Sequence, residues 1–201
     1  MSDHYFSVEP GSKATPRTVE FTVHGRAYSL SSSTGIFSGD RLDLGTSVLL
    51  REAPLPSGPG TFLDLGCGYG PIASVLATQV PGSTVWAVDV NTRALDLTRE
   101  NAARLQVADR VRVAPPEGVP DDLRFDEIWS NPPIRIGKPA LHGLLEQWLR
   151  RLSPNGVAWL VVGRNLGADS LQRWLVEQGW RCDRQASAKG FRVLAVRRGQ
   201  D

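Results

Sequence analysis

The sequence predicts an α/β fold built on a mostly parallel sheet, and three observations carry that expectation. An apolar run, Thr61-Phe-Leu-Asp-Leu65, leads into glycines at alternate positions, Gly66, Gly68 and Gly70. A second apolar and β-branched run, Thr84-Val-Trp-Ala-Val88, ends in Asp89, 19 residues past Gly70. From there strand-like and helix-like stretches alternate along the chain, the pattern of a sheet whose crossovers are helices. The last two strand-like runs are separated only by Ser187-Ala-Lys-Gly190, so they must pair antiparallel.

In chain order, residues 1–16 are polar with Gly and Pro and carry no strand or helix signal. Thr18–Val23 and Arg26–Leu30 alternate about His24-Gly25 and read as a hairpin. Gly35–Thr46 leads into a short apolar helix ending near Arg51, and Pro54–Gly60 connects to the first sheet strand. Pro71 suits a first helical position, and Ile72, Val75, Leu76 and Val80 share one face of the helix it opens. Asn91 to about Leu105 repeats that periodicity, Val111–Ala114 is a third strand, and Pro115–Leu123 reads as loop. Phe125–Ser130 is a fourth strand. The helix from Lys138 is stopped near Leu152 by Ser153-Pro-Asn-Gly156, and Val157–Val162 reads as a central strand buried on both faces. Ala168–Gln178 is the last helix; Trp180–Ala186 and Phe191–Val196 are the final strands.

A chain of 201 residues suits one domain with a substantial core. We divide it into an N-terminal segment with a hairpin, 1–34, and the α/β unit, 35–201. No stretch reaches the length of a membrane span, and the N-terminus shows no signal-peptide run. The two cysteines, Cys67 and Cys182, lack metal-ligand spacing and fit a reducing, cytoplasmic setting. Net charge is +2 but uneven: residues 1–130 carry −5 and residues 131–201 carry +7. A basic C-terminal part suits an anionic partner such as RNA, although 20 arginines against 3 lysines also indicate a general compositional bias.

The glycine turn is the centre of the functional reading. Alternate glycines let the backbone turn sharply and approach a ligand closely. A dinucleotide fingerprint needs G-x-G-x-x-G, whereas Gly66, Gly68 and Gly70 give G-x-G-x-G. Asp64 just before the turn would repel a pyrophosphate and suits a ligand carrying positive charge. Asp89 stands where a strand-end acid binds ribose hydroxyls, or else caps the following helix. Leu63–Gly70 resembles the S-adenosylmethionine-binding motif of class I methyltransferases. That resemblance implies a Rossmann-like sheet of seven strands with a reversed last strand and helices on both faces. It assigns the cofactor to Asp64, Gly66, Gly68, Gly70, Asp89 and Val90. Asp43 and Thr46 are candidates to close over its methionine end, or to cap a helix.

Ser130-Asn-Pro-Pro-Ile134 follows the fourth strand. Two prolines stiffen the backbone and donate no N–H, so the Asn131 oxygen and the neighbouring carbonyls offer acceptors in a fixed geometry. Acceptors gripping both N–H groups of a planar amine would aim its lone pair at a methyl donor without a strong base. Asn131, Pro132, Pro133 and Ile134 resemble the Asn-Pro-Pro-aromatic motif of amino-group methyltransferases, with Ile134 in the aromatic position. Together with Gly35-Ile-Phe-Ser and Asp43-Leu-Gly-Thr46, they resemble the small-domain group that includes ribosomal RNA guanine-N2 enzymes. The implied function is N-methylation of an exocyclic amine of RNA, guanine N2 of ribosomal RNA in particular. The alternatives are a protein glutamine methyltransferase and a cofactor-binding RNA module without turnover. Phe37, Arg135 and Lys138 are the candidate substrate contacts, Phe37 for the target pocket and the two cations for phosphates.

Overall fold

The structure, a computed structural model, describes residues 15–36 and 41–199. Phe37, the expected pocket aromatic, lies outside the described residues. The chain opens with β1 (Pro16–Val23) and β2 (Arg26–Ser33), an antiparallel hairpin turning at His24-Gly25. Then follow α1 (Leu44–Glu52), β3 (Thr61–Leu65), α2 (Pro71–Gln79), β4 (Thr84–Val88), α3 (Thr92–Arg104) and β5 (Val111–Ala114). The second half comprises β6 (Phe125–Ser130), α4 (Lys138–Leu149), β7 (Leu152–Gly163), α5 (Ala168–Glu177), β8 (Trp180–Ala188) and β9 (Phe191–Arg198).

Seven strands form one sheet in the order β5-β4-β3-β6-β7-β9-β8. The ladders from β5 to β7 are parallel, while β9 runs antiparallel to both neighbours and is inserted between β7 and β8. The short Lys189-Gly190 turn, with φ of 49° and 81°, makes that reversal possible. The sheet order reverses at β3, whose neighbours β4 and β6 are each reached by a crossover, so their carboxyl ends open a crevice there.

Each sheet face has its own core. Phe62, Trp129, Trp159 and Val161 pack with α1, α2, α3 and the hairpin residues Val19, Val23, Tyr28 and Leu30. Leu63, Ile128, Leu160 and Val162, one residue out of phase, pack with α4 and α5. The hairpin therefore shares the core of the main sheet. Asn101 of α3 fastens it: its Oδ1 accepts from Ser31 N at 2.7 Å, and its Nδ2 donates to Ser31 O and Tyr69 O at 2.9 and 2.8 Å.

Several boundaries differ from expectation, β2 running on to Ser33 and β8 to Ala188, and the largest difference is at β7. The strand expected from Val157 already pairs at Leu152, which lies opposite Phe125. The next pair is Glu127 with Val157, so Ser153-Pro-Asn-Gly156 loops out against the single residue Asp126. The Asp126 carboxylate accepts from Ser153 Oγ at 3.1 Å and holds that excursion in place. The turn residues thus mark a bulge inside a strand, and the helix expected to run to Leu152 ends earlier, at Leu149.

Candidate active site

The turn after β3 is shaped by backbone bonds: Gly66 N and Cys67 N both donate to Val88 O, at 2.8 and 3.0 Å. Gly66, Gly68 and Gly70 all have positive φ, 76°, 56° and 83°. A side chain on Gly66 would meet nothing within 4 Å, and one on Gly68 only Ile36 at 3.9 Å. The first two glycines therefore border open space, while the third packs against Thr98 of α3.

Two acids flank this turn. Asp64 is 1 % exposed; its Oδ2 accepts from Ala73 N in the first turn of α2 at 2.9 Å, and its Oδ1 has no partner. Burial pushes its carboxyl up to about 7 against that one backbone bond, and the nearby Asp89 adds to the rise. Asp89 follows β4; Oδ2 accepts from Gly68 N and Oδ1 from Asn91 N, both at 2.9 Å. Burial raises its pKa, and these backbone donors oppose the rise. Each Asp89 oxygen keeps a second lone pair for a hydroxyl donor. Val90 beside it is 40 % exposed. The Tyr69 hydroxyl, inside the turn, is also buried without a partner.

Across the crevice, Ser130 Oγ donates to Leu65 O at 2.7 Å and ties the end of β6 to the end of β3. Asn131 comes next. Its Nδ2 donates to Asp43 Oδ1 at 2.6 Å and to Thr46 Oγ1 at 3.1 Å. Only the amide nitrogen can donate to a carboxylate, so the Asp43 bond fixes which way the amide faces and leaves Oδ1 as a directed acceptor. Asp43 is also the N-cap of α1, accepting from Thr46 N at 2.9 Å. Asp43 and Thr46, expected to close over a cofactor or cap a helix, thus cap α1 and orient Asn131 together. One lone pair of the Pro132 carbonyl is taken by Ile134 N at 2.9 Å. Pro133 precedes a short 3₁₀ helix, Ile134–Ile136, and Ile134 itself is half-buried against the α4–α5 core. Arg135 and Lys138 are exposed.

Three residues at the site went unmarked in the sequence reading. Gly45 is one, because a Cβ there would lie 3.0 Å from Asp43 Oδ1, 3.0 Å from Phe191 Cε1 and 3.3 Å from Asn131 Nδ2. Phe191 is the second, brought in by the reversed strand β9. Asn101 is the third, a buried amide in the middle of a helix whose polarity was the available signal. Among the described residues no group of three metal-ligating side chains occurs.

The arrangement fits S-adenosylmethionine. Asp64 offers a bare buried oxygen to a cation, Gly66 leaves room for a ligand against the backbone, and Asp89 offers acceptors to a ribose.

Residues 27–195 match the family model described as Methyltransferase small domain. The chain is 31% identical to the uncharacterized protein YbxB of Bacillus subtilis (strain 168), over 98% of this chain and 100% of that protein. It is 30% identical to ribosomal RNA small subunit methyltransferase C of Acinetobacter baumannii (strain AYE), over 89% of this chain and 53% of that protein. The chain thus spans about half the length of the ribosomal RNA methyltransferases it matches. Among solved structures, the Thermus thermophilus 16S rRNA N2 G1207 methyltransferase RsmC, with AdoMet and guanosine, superposes at a TM-score of 0.78 and 22% identity. It covers 91% of this chain and 50% of that one, a likeness of fold. The chain belongs to the methyltransferase small domain family, whose methyl donor is S-adenosylmethionine.

Proposed function

We propose that this protein methylates an exocyclic amine of RNA, guanine N2 of ribosomal RNA in particular. The observation that carries the proposal is the locked amide of Asn131, with its nitrogen spent on Asp43 and Thr46 and its oxygen without a partner among the described residues. An amine conjugated to a purine is a poor nucleophile because its lone pair is delocalised into the ring. A fixed acceptor that takes one of its N–H groups, with the second lone pair of the Pro132 carbonyl taking the other, draws the nitrogen toward a tetrahedral shape and localises its lone pair in the direction of the methyl donor. S-Adenosylmethionine, when bound, supplies an electrophilic methyl on a sulfonium. Asp64 would face the cationic part of the cofactor and Asp89 would accept from its ribose hydroxyls, while Asn131 holds the acceptor nitrogen of the substrate. The attacking nitrogen's surplus proton leaves to water after transfer, so no strong base is required of the chain. Positioning and preorganised acceptors supply the rate. Similarity to ribosomal RNA methyltransferases and the +7 charge of residues 131–201 support RNA as the acceptor.

The test is single-turnover methyl transfer to unmodified ribosomal RNA by Asn131→Ala. Transfer should fall on the order of 10²–10³-fold, as for other positioned acceptors, with cofactor affinity retained. Near-normal transfer by the variant would show that something else holds the amine. Transfer to a glutamine peptide in place of RNA would give the enzyme a protein substrate.

A further inference from the structure

The Asn131 acceptor defines one side of the substrate site, and a planar base needs a flat apolar surface to lie against while its amine is held. Ile134, next to the two prolines, has no such face and is half-buried in the opposite core. Phe191 does have one. It is the first residue of β9, paired with Gly163 at the end of β7, and so lies at the carboxyl edge of the sheet where Asn131 lies. It is on the sheet face that carries α1, and Gly45 of α1 separates its ring from the Asn131 amide by the width of one missing side chain. Part of the residue remains accessible.

The segments around Phe191 are basic. Arg164 follows β7 directly, and its backbone N–H donates to Gly190 O at 2.8 Å, binding the β7 end to the β8–β9 turn. The Arg164 and Lys189 side chains are exposed there. Asp169, an acid of the same edge, is taken up by Arg184 and Arg192. Aromatic surface beside exposed cations is the chemistry that receives an unstacked base with its flanking phosphates.

We infer that the start of β9 is the second wall of the substrate site. Phe191 is the face on which the target base stacks, and Arg164 and Lys189 receive the phosphates beside it. This rests on the RNA-amine reading above. Gly45 then has a reason to lack a side chain, since any Cβ would push the Phe191 ring and the Asn131 amide apart.

The experiment compares wild type, Phe191→Leu, Phe191→Tyr and the double variant Phe191→Leu/Ile134→Phe in methyl transfer to unmodified ribosomal RNA, with cofactor affinity measured calorimetrically. Loss of one stacked base is expected to raise the RNA Michaelis constant of Phe191→Leu about 10-fold. Tyr should keep the wild-type value, and adding Ile134→Phe, at a position packed in the opposite core, should leave the loss in place. Cofactor affinity should be the same in all four proteins. Equal defects in Leu and Tyr, or a defect confined to cofactor affinity, would make Phe191 a packing residue and overturn the inference. An unchanged Michaelis constant in Phe191→Leu would do so while leaving the proposed function standing. Absence of transfer to RNA by the wild type would remove the proposed function and this wall with it.

Discussion

Asp64 is buried with one oxygen bonded and one bare, so its charge depends on what lies beside it. In the free protein burial favours the neutral acid and lifts its pKa from 3.8 to about 7. A raised folded-state value means that its contribution to stability is complete below about pH 4. That contribution is lost as the pH rises through about 7. A cationic cofactor reverses the preference, because an ammonium or sulfonium favours the carboxylate. Cofactor affinity should therefore rise as the pH approaches about 7 and level off above it, with binding releasing up to one proton per site below that value. Calorimetry in two buffers of different ionisation enthalpy measures both, and Asp64→Asn should flatten the profile. Asp89 makes a complementary case, since both its oxygens are already organised by backbone donors for a diol. Asp89→Ala should weaken cofactor binding by about 1.5–3 kcal/mol, the worth of a charged hydrogen-bond partner. An unchanged affinity in a folded variant would take Asp89 out of the site.

Elements are where the sequence was most readable, and where its silence has a physical cause. The strand–turn–helix around Gly66 could be read because its constraints are local: an apolar run, positive φ at three glycines, and a proline at the first helical position. The Asn131 motif was legible in composition, but its orientation was not, because the bonds that set it come from α1, 85 and 88 residues earlier. Phe191 escaped for the same reason: its place at the site depends on the insertion of β9 beside β7, a long-range pairing that no local pattern encodes. The tie made by Asn101 is likewise non-local, and it can be tested as an element. Asn101→Ala strips the hairpin and the glycine turn of three hydrogen bonds and leaves half-buried Ser31 and buried Tyr69 backbone groups unpaired. Chemical denaturation should show a loss of about 1–3 kcal/mol, and cofactor affinity should fall because the turn loses its support. Were the hairpin merely appended, stability would change by less and cofactor affinity not at all.

At the scale of the whole molecule, charge and topology point to the same place. Residues 131–201 carry +7 and residues 1–130 carry −5, and the strands β7, β9 and β8 of the basic part form one half of the sheet. The acids of the cofactor turn lie on the β3–β4 side of the crevice; Arg135, Lys138, Arg164 and Lys189 follow or join strands on the other. An acidic side and a basic side of the crevice thus meet at the end of β6, where Asn131 stands. The pairing of these halves predicts separable behaviour. Arg135→Glu combined with Lys138→Glu removes two cations and adds two anions without touching the glycine turn. The apparent Michaelis constant for RNA should rise and its dependence on salt should flatten, because fewer counterions are displaced on binding. Cofactor affinity should stay at the wild-type value. Measuring transfer to RNA from about 50 to 200 mM salt distinguishes the outcomes. Parallel slopes for wild type and variant would make these two side chains ordinary solvated surface, and phosphate contact would then fall to the β8–β9 side of the crevice.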